Sequence, residues 1–184
     1  MGWVVLVIGV GLWWAAHLFK RIDPAKRAAM GDKGKGYVAL ALVGSIVLMV
    51  IGFKMTPFVN LWFPPSFFTH INNLLVLVAI YMMSPAPKRG RLLNGMRHPM
   101  LTGFALWAVA HLLVNGDLAA IVLFGGLLAW AITEMRVINA AEPDWTAPAP
   151  GSYAKDAMFF AASIVLMAII GYIHSLVGPW PFGS

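Results

Sequence analysis

The sequence predicts an all-α integral membrane protein, a polytopic bundle of about six transmembrane helices with both termini outside. Of its 184 residues, 60% are hydrophobic and only 11% are charged, and the mean hydropathy is +0.80. This is more apolar than an ordinary soluble domain. A helix needs roughly 20 mostly apolar residues to cross the hydrocarbon core. We therefore expect one transmembrane domain over residues 1–184 and no soluble domain.

Six apolar stretches underlie this prediction. They span residues 2–19, 37–53, 67–83, 100–114, 118–133 and 157–176. The first ends at Lys20 and Arg21 rather than at a small-residue cleavage site and has no basic segment before it. We interpret it as a helix of the mature protein and not as a signal peptide. Asp117 is expected to cap the fifth stretch, and the prolines of segment 142–151 predict a non-helical loop.

The charged residues indicate how the chain is oriented. Most lysines and arginines follow the first and third stretches, namely Lys20, Arg21, Lys26, Arg27, Lys33, Lys35, Lys88, Arg89, Arg91 and Arg97. The positive-inside rule places these loops in the cytoplasm, which puts both termini outside. The net charge of +6 then reflects membrane topology. No nucleic-acid partner is expected, because the basic residues do not form one solvated face.

Histidines are the candidate ligands in this chain. It contains no cysteine, which excludes disulfides, thiolate metal sites, iron–sulfur clusters and covalent c-type haem attachment. Ionisable side chains inside a span are costly and point to function. Two of the 5 histidines lie in matching W-x-x-A-H-L segments, where Trp13 precedes His17 and Trp107 precedes His111 by one helical turn. Two such imidazoles could bind one iron axially, with the tryptophans lining the pocket.

Other interpretations of the histidines stay open. Each could instead form a hydrogen bond across the bundle and serve only helix packing. At 1.5 Å per residue, His17 and His111 are expected to lie roughly 15 Å apart in depth. A pair of His70 with His111, which are predicted at similar depths, is therefore the alternative ligand set.

Three further polar residues have more than one possible role. His174 is interpreted as a packing residue. Arg97 and His98 precede a proline at the start of the fourth stretch. They are candidates for binding a haem propionate, a phosphate or an anionic lipid headgroup. An interfacial helix cap explains them equally well.

A series of motifs from residue 97 onward resembles a known family. These are R-H-P-M-L-T-G at 97–103, W-x-x-A-H at 107–111 and N-G-D at 115–117. With His17, the basic loop after it and the Gly-Tyr pair at 36–37, they resemble the NnrU family over essentially the whole chain. That family includes bacterial membrane proteins named from denitrification gene clusters and the plant 15-cis-zeta-carotene isomerase.

The resemblance implies a b-type haem held by two intramembrane histidines, here His17 and His111. We also expect a multi-pass protein of the bacterial inner membrane and, if the chain is an enzyme, redox-dependent cis-trans isomerisation of a conjugated lipophilic substrate. In the plant enzyme one ligand is thought to exchange with a cysteine three residues before the second histidine. Ala108 stands at that position, which excludes this kind of exchange. No catalytic residue is assigned.

Two alternative functions are also compatible with the sequence. One is a non-catalytic membrane factor in denitrification, nitric oxide metabolism or the assembly of a respiratory membrane complex. The other is an enzyme similar to isoprenylcysteine methyltransferases, which the Arg-His-Pro motif also resembles. Those enzymes have polar and acidic cofactor-binding residues in their C-terminal halves. Residues 157–184 contain one histidine and no charged side chain, which disfavours the second alternative.

Overall fold

The computed structural model describes residues 1–183, which are mainly helical. The helices are α1 (Gly2–Ile22), α2 (Pro24–Ala29), α3 (Lys33–Met55), α4 (Phe68–Met83), α5 (Ala86–Arg89), α6 (Pro99–Val114), α7 (Leu118–Ala120), a π-helical segment (Ile121–Gly125), α8 (Gly126–Ala141) and α9 (Tyr153–Val177). No β-strand occurs among residues 1–183, where one isolated bridge joins Asn60 and Asp117. The all-α prediction is confirmed, and each of the six apolar stretches is helical.

Four helical segments in residues 1–183 are long and apolar enough to cross a membrane. They are Gly2–Ile22, Lys33–Met55, Leu118–Ala141 and Tyr153–Val177. The apolar helices α4 and α6 are shorter, with 16 residues each. Large apolar side chains on α3 and α9 are exposed, including Leu40 at 70% and Leu176 at 67%. Such extended apolar faces suit contact with lipid rather than with water.

Side chains satisfy backbone donors at the starts of several helices. Asp117 accepts a hydrogen bond from the Ala120 amide at 2.9 Å, which confirms the predicted cap. Ser152 caps α9 by accepting from the Lys155 amide at 3.4 Å. Segment 142–151 contains no helix, as its prolines predict.

The chain forms two compact units. The first unit comprises Met1–Phe63 and Gly116–Trp130, and its main contact joins α1 to α3. Glycines allow the two backbones to approach closely. If a Cβ atom were added at Gly9, it would lie 2.7 Å from the Met49 amide nitrogen, and a Cβ atom added at Gly52 would overlap the backbone of Leu6. Small residues at such crossings are typical of membrane helices, whose association depends on close packing.

Within the same unit, α1 also contacts the π-helical region. The indole nitrogen of Trp14 donates to the carbonyl of Gly126 at 3.0 Å. A Cβ at Gly126 would lie 2.9 Å from Val10. Segment 59–62 pairs with the turn at 116–118, where the Leu61 amide donates to the Gly116 carbonyl at 2.7 Å.

The second unit comprises Pro64–Asn115 and the chain from Ala131 onward. Here α4 packs on both α6 and α9. A buried carboxylate, Asp156, which is 3% exposed, joins α9 to α4 and to the loop after α5. It accepts hydrogen bonds from the Tyr81 hydroxyl at 2.7 Å, the Arg91 amide at 2.7 Å and the Leu92 amide at 3.3 Å. Three donors compensate the cost of removing this carboxylate from water.

We expect Gly52→Ala to lower the free energy of unfolding by about 1–3 kcal/mol, because the added methyl group overlaps the backbone of α1. Gly44→Ala, in the same helix, is the matched control, since a Cβ there meets nothing within 4 Å. Denaturant titration of the detergent-solubilised variants measures both. Equal stability of the two variants would contradict the described α1–α3 packing.

We expect Asp156→Asn to lower the thermal midpoint in detergent, because the amide binds the Tyr81 hydroxyl and two backbone amides less strongly than the carboxylate does. Tyr81→Phe removes one of the three donors and is expected to lower the midpoint less. Tyr172→Phe is the control on the same helix, because Tyr172 is exposed. A midpoint unchanged in Asp156→Asn would show that the cluster does not stabilise the fold.

Candidate functional site

His17 lies near the end of α1, half-buried between two indole rings of the first unit. Its ring centroid is 4.3 Å from that of Trp13 and 4.4 Å from that of Trp130. Its Nδ1 lies 3.0 Å from the backbone carbonyl oxygen of Trp13. A carbonyl oxygen can only accept, so Nδ1 donates and the lone pair of the neutral imidazole is on Nε2.

His111 repeats this local structure in the second unit. Its Nδ1 donates to the carbonyl oxygen of Trp107 at 2.9 Å, and the two ring centroids are 4.7 Å apart. The flanking Ala108 and Ala110 are fully buried, so their small size lets α6 pack closely. The matching sequence segments thus produce matching hydrogen bonds and ring contacts.

A cavity of about 250 Å³ lies beside His111. Its polar lining residues are Asn72, Asn73, His111 and His174, and the other walls are mostly apolar. The Nδ1 of His174 donates to the carbonyl oxygen of Pro179 at 2.9 Å. The structure therefore brings His174, interpreted from the sequence as a packing residue, to the same cavity as His111. His70 is exposed in the first turn of α4.

The donor chemistry of His17 and His111 would suit ligation of a haem iron. Histidines that bind metals usually donate their second ring N–H to a carbonyl or carboxylate, which fixes the tautomer and the ring orientation. Both histidines have that arrangement. No group of three or more His, Cys, Asp or Glu side chains in residues 1–183 could hold a bare metal ion. Haem needs only two protein ligands.

The volume beside His111 sets a limit on what that cavity can enclose. A cavity of roughly 150 Å³ holds a benzene ring. The 250 Å³ cavity therefore has room for one substituted ring. His17 belongs to the first unit and His111 to the second, and their pairing on one iron stays a prediction.

Arg97 and His98 connect the start of α6 to the end of α8. A guanidinium nitrogen of Arg97 donates to the carbonyl of Glu142. The Nε2 of His98 donates to the side-chain oxygen of Asn139 at 2.8 Å. His98 also occupies the N-cap position of α6. These contacts agree with the interfacial cap, and binding of a propionate or phosphate by Arg97 stays a prediction.

Sequence reasoning missed two residues of these surroundings. Trp130 is 4% exposed and packs on both His17 and Trp13, with the indole centroids 5.3 Å apart. Asn72 is 8% exposed and lines the cavity beside His111. A polar residue inside an apolar stretch was a usable signal for Asn72. Trp130 had no local signal, because it lies 113 positions after His17 in the chain.

Comparison with known proteins identified one family. A family model described as NnrU protein matches residues 5–181. No curated protein and no solved structure matches the chain.

We expect both His17 and His111 to carry a proton on Nδ1 and none on Nε2, because each Nδ1 faces a carbonyl acceptor. Nitrogen NMR of the ring atoms in isotopically labelled, detergent-solubilised protein at neutral pH checks this. A proton on Nε2 of either ring would contradict the assigned hydrogen bond.

Proposed function

The chain belongs to the NnrU family, and on that premise we propose that it binds haem b through His17 and His111. The observation that best supports the proposal is the duplicated hydrogen bond from Nδ1 to the tryptophan carbonyl four residues earlier. It orients each imidazole and places its lone pair on Nε2, the atom that would bind iron. Trp13 and Trp107 would then flank the cofactor.

We also propose the topology in which these ligands act. The six apolar helices would each cross the inner membrane of a bacterium, with both termini outside. The support is the concentration of basic residues in the loops after α1 and α4. The short helices α4 and α6 would cross where the bilayer thins locally or where flanking side chains extend to the interface.

Bound haem would supply a redox-active iron at membrane depth. The residues of the chain would orient the iron ligands, exclude water and admit a lipophilic molecule. Their indole and aliphatic groups suit a conjugated apolar substrate, which supports a haem-dependent isomerase as the proposed activity. The alternative is a non-catalytic haem protein of a respiratory membrane complex. Such a protein would bind haem but would not convert a substrate.

The test is the absorption spectrum of the purified protein, oxidised and reduced, after expression in haem-replete cells. We expect a Soret band in the wild type that is lost or strongly shifted in His17→Ala and His111→Ala. His70→Ala is the matched control and should keep the spectrum. Trp13→Phe should also keep it, because the hydrogen bond to His17 is accepted by a backbone carbonyl, which the substitution retains.

Different failures of this test have different meanings. A wild type without a Soret band would refute haem binding. If His70→Ala loses the band and His17→Ala keeps it, the ligand pair would be His70 and His111 instead of His17 and His111. A normal spectrum without isomerisation of conjugated substrates would favour the non-catalytic alternative.

A further inference from the structure

The cavity beside His111 lies within the second unit. Its walls come from α4, α6, α9 and the C-terminal segment, and they include Trp107, Ile80 and Phe182. The segment after α9 folds back over the helix. The Nδ1 of His174 donates to the Pro179 carbonyl at 2.9 Å, and Phe182 lies so close to Gly171 that a Cβ there would overlap its ring.

Besides His111, two polar residues that line this cavity have hydrogen-bond acceptors. The side-chain nitrogen of Asn72 donates to the Asn73 side-chain oxygen at 3.1 Å. This leaves the Asn72 Oδ1 buried with no hydrogen-bond partner among residues 1–183. A buried acceptor without a donor is costly. The second acceptor is His174, whose Nδ1 donates to Pro179 and whose lone pair is therefore on Nε2.

These features define the chemistry of a complementary ligand. Its volume must match about 250 Å³, which is one substituted ring, since roughly 150 Å³ holds benzene. Its body must be apolar to match walls such as Trp107 and Phe182, whose rings favour aromatic contacts. Its polar groups must include donors, because the cavity offers acceptors at Asn72 and His174.

We propose that this cavity binds the aromatic head of a membrane-dissolved hydroquinone. A hydroquinone has two hydroxyl donors on one apolar ring, whereas the oxidised quinone has only acceptors. The chain would therefore distinguish the reduced form from the oxidised form by hydrogen bonding. This site adjoins the proposed iron ligand His111, which lines the same cavity, but its two acceptors, Asn72 and His174, are not proposed iron ligands.

The experiment compares three ring compounds of nearly equal shape. Trimethylhydroquinone, trimethylbenzoquinone and the dimethyl ether of trimethylhydroquinone are titrated anaerobically into the full chain in detergent, with empty micelles as the blank. We expect the hydroquinone to bind most tightly, by roughly 2- to 10-fold for each donor that finds an acceptor. Equal binding of the hydroquinone and its dimethyl ether would overturn the proposal.

Variants then assign the acceptors. Asn72→Leu and His174→Phe should each weaken hydroquinone binding by roughly 2- to 10-fold and leave binding of the dimethyl ether almost unchanged. Asn60→Leu, an exposed residue of the first unit, is the matched control. Unchanged hydroquinone affinity in both cavity variants would overturn the proposal. The wild-type comparison of compounds needs no variant, so misfolding of a variant does not remove the test.

Haem content is measured in the same samples by the Soret band. Selective hydroquinone binding in a protein without that band would support this site and refute the haem proposal. A normal Soret band with no preference for the hydroquinone would support the haem proposal and overturn the hydroquinone site.

Discussion

In a chain whose helices are surrounded mainly by apolar groups, every polar group needs a partner within the protein. This requirement accounts for the helices themselves, which satisfy their own backbone groups. It also accounts for the positions of several buried polar side chains. The Asp156 carboxylate has three donors around it. His17 and His111 give their ring N–H to a carbonyl of their own helix. The Asn72 oxygen is an exception beside a cavity.

The histidine hydrogen bond has a consequence for function. A histidine whose ring N–H donates a hydrogen bond to its own helix does not need a polar acceptor on another helix. Apolar residues can therefore surround its ring. Around His17 these are the indoles of Trp13 and Trp130. Around His111 they line a cavity with room for a single ring. The same local arrangement can thus serve iron ligation and an adjoining apolar binding site.

Close packing of the helices does not depend on these hydrogen bonds. Glycines at the α1–α3 crossing bring backbones together at Gly9 and Gly52, and Gly103 lets α6 approach α4, where a Cβ would lie 2.8 Å from the Ala79 carbonyl oxygen. Lipid provides no hydrophobic force that would press apolar helices together, so contact area and dispersion must do so. The small alanines beside His111 contribute in the same way, since Ala108 and Ala110 are fully buried.

The sequence by itself determined the features that depend on neighbours along the chain. The apolar stretches set the helices, Asp117 set a cap, and the two W-x-x-A-H-L segments placed a tryptophan one turn before each of His17 and His111. Only the tertiary structure decided that Trp130 packs on His17, that His174 and Asn72 share a cavity with His111, and that Asp156 meets Tyr81. These partners lie on different helices. Because nearly every face of such helices is apolar, hydropathy does not indicate which faces meet. Side-chain shape and the close approach allowed by glycine decide it instead.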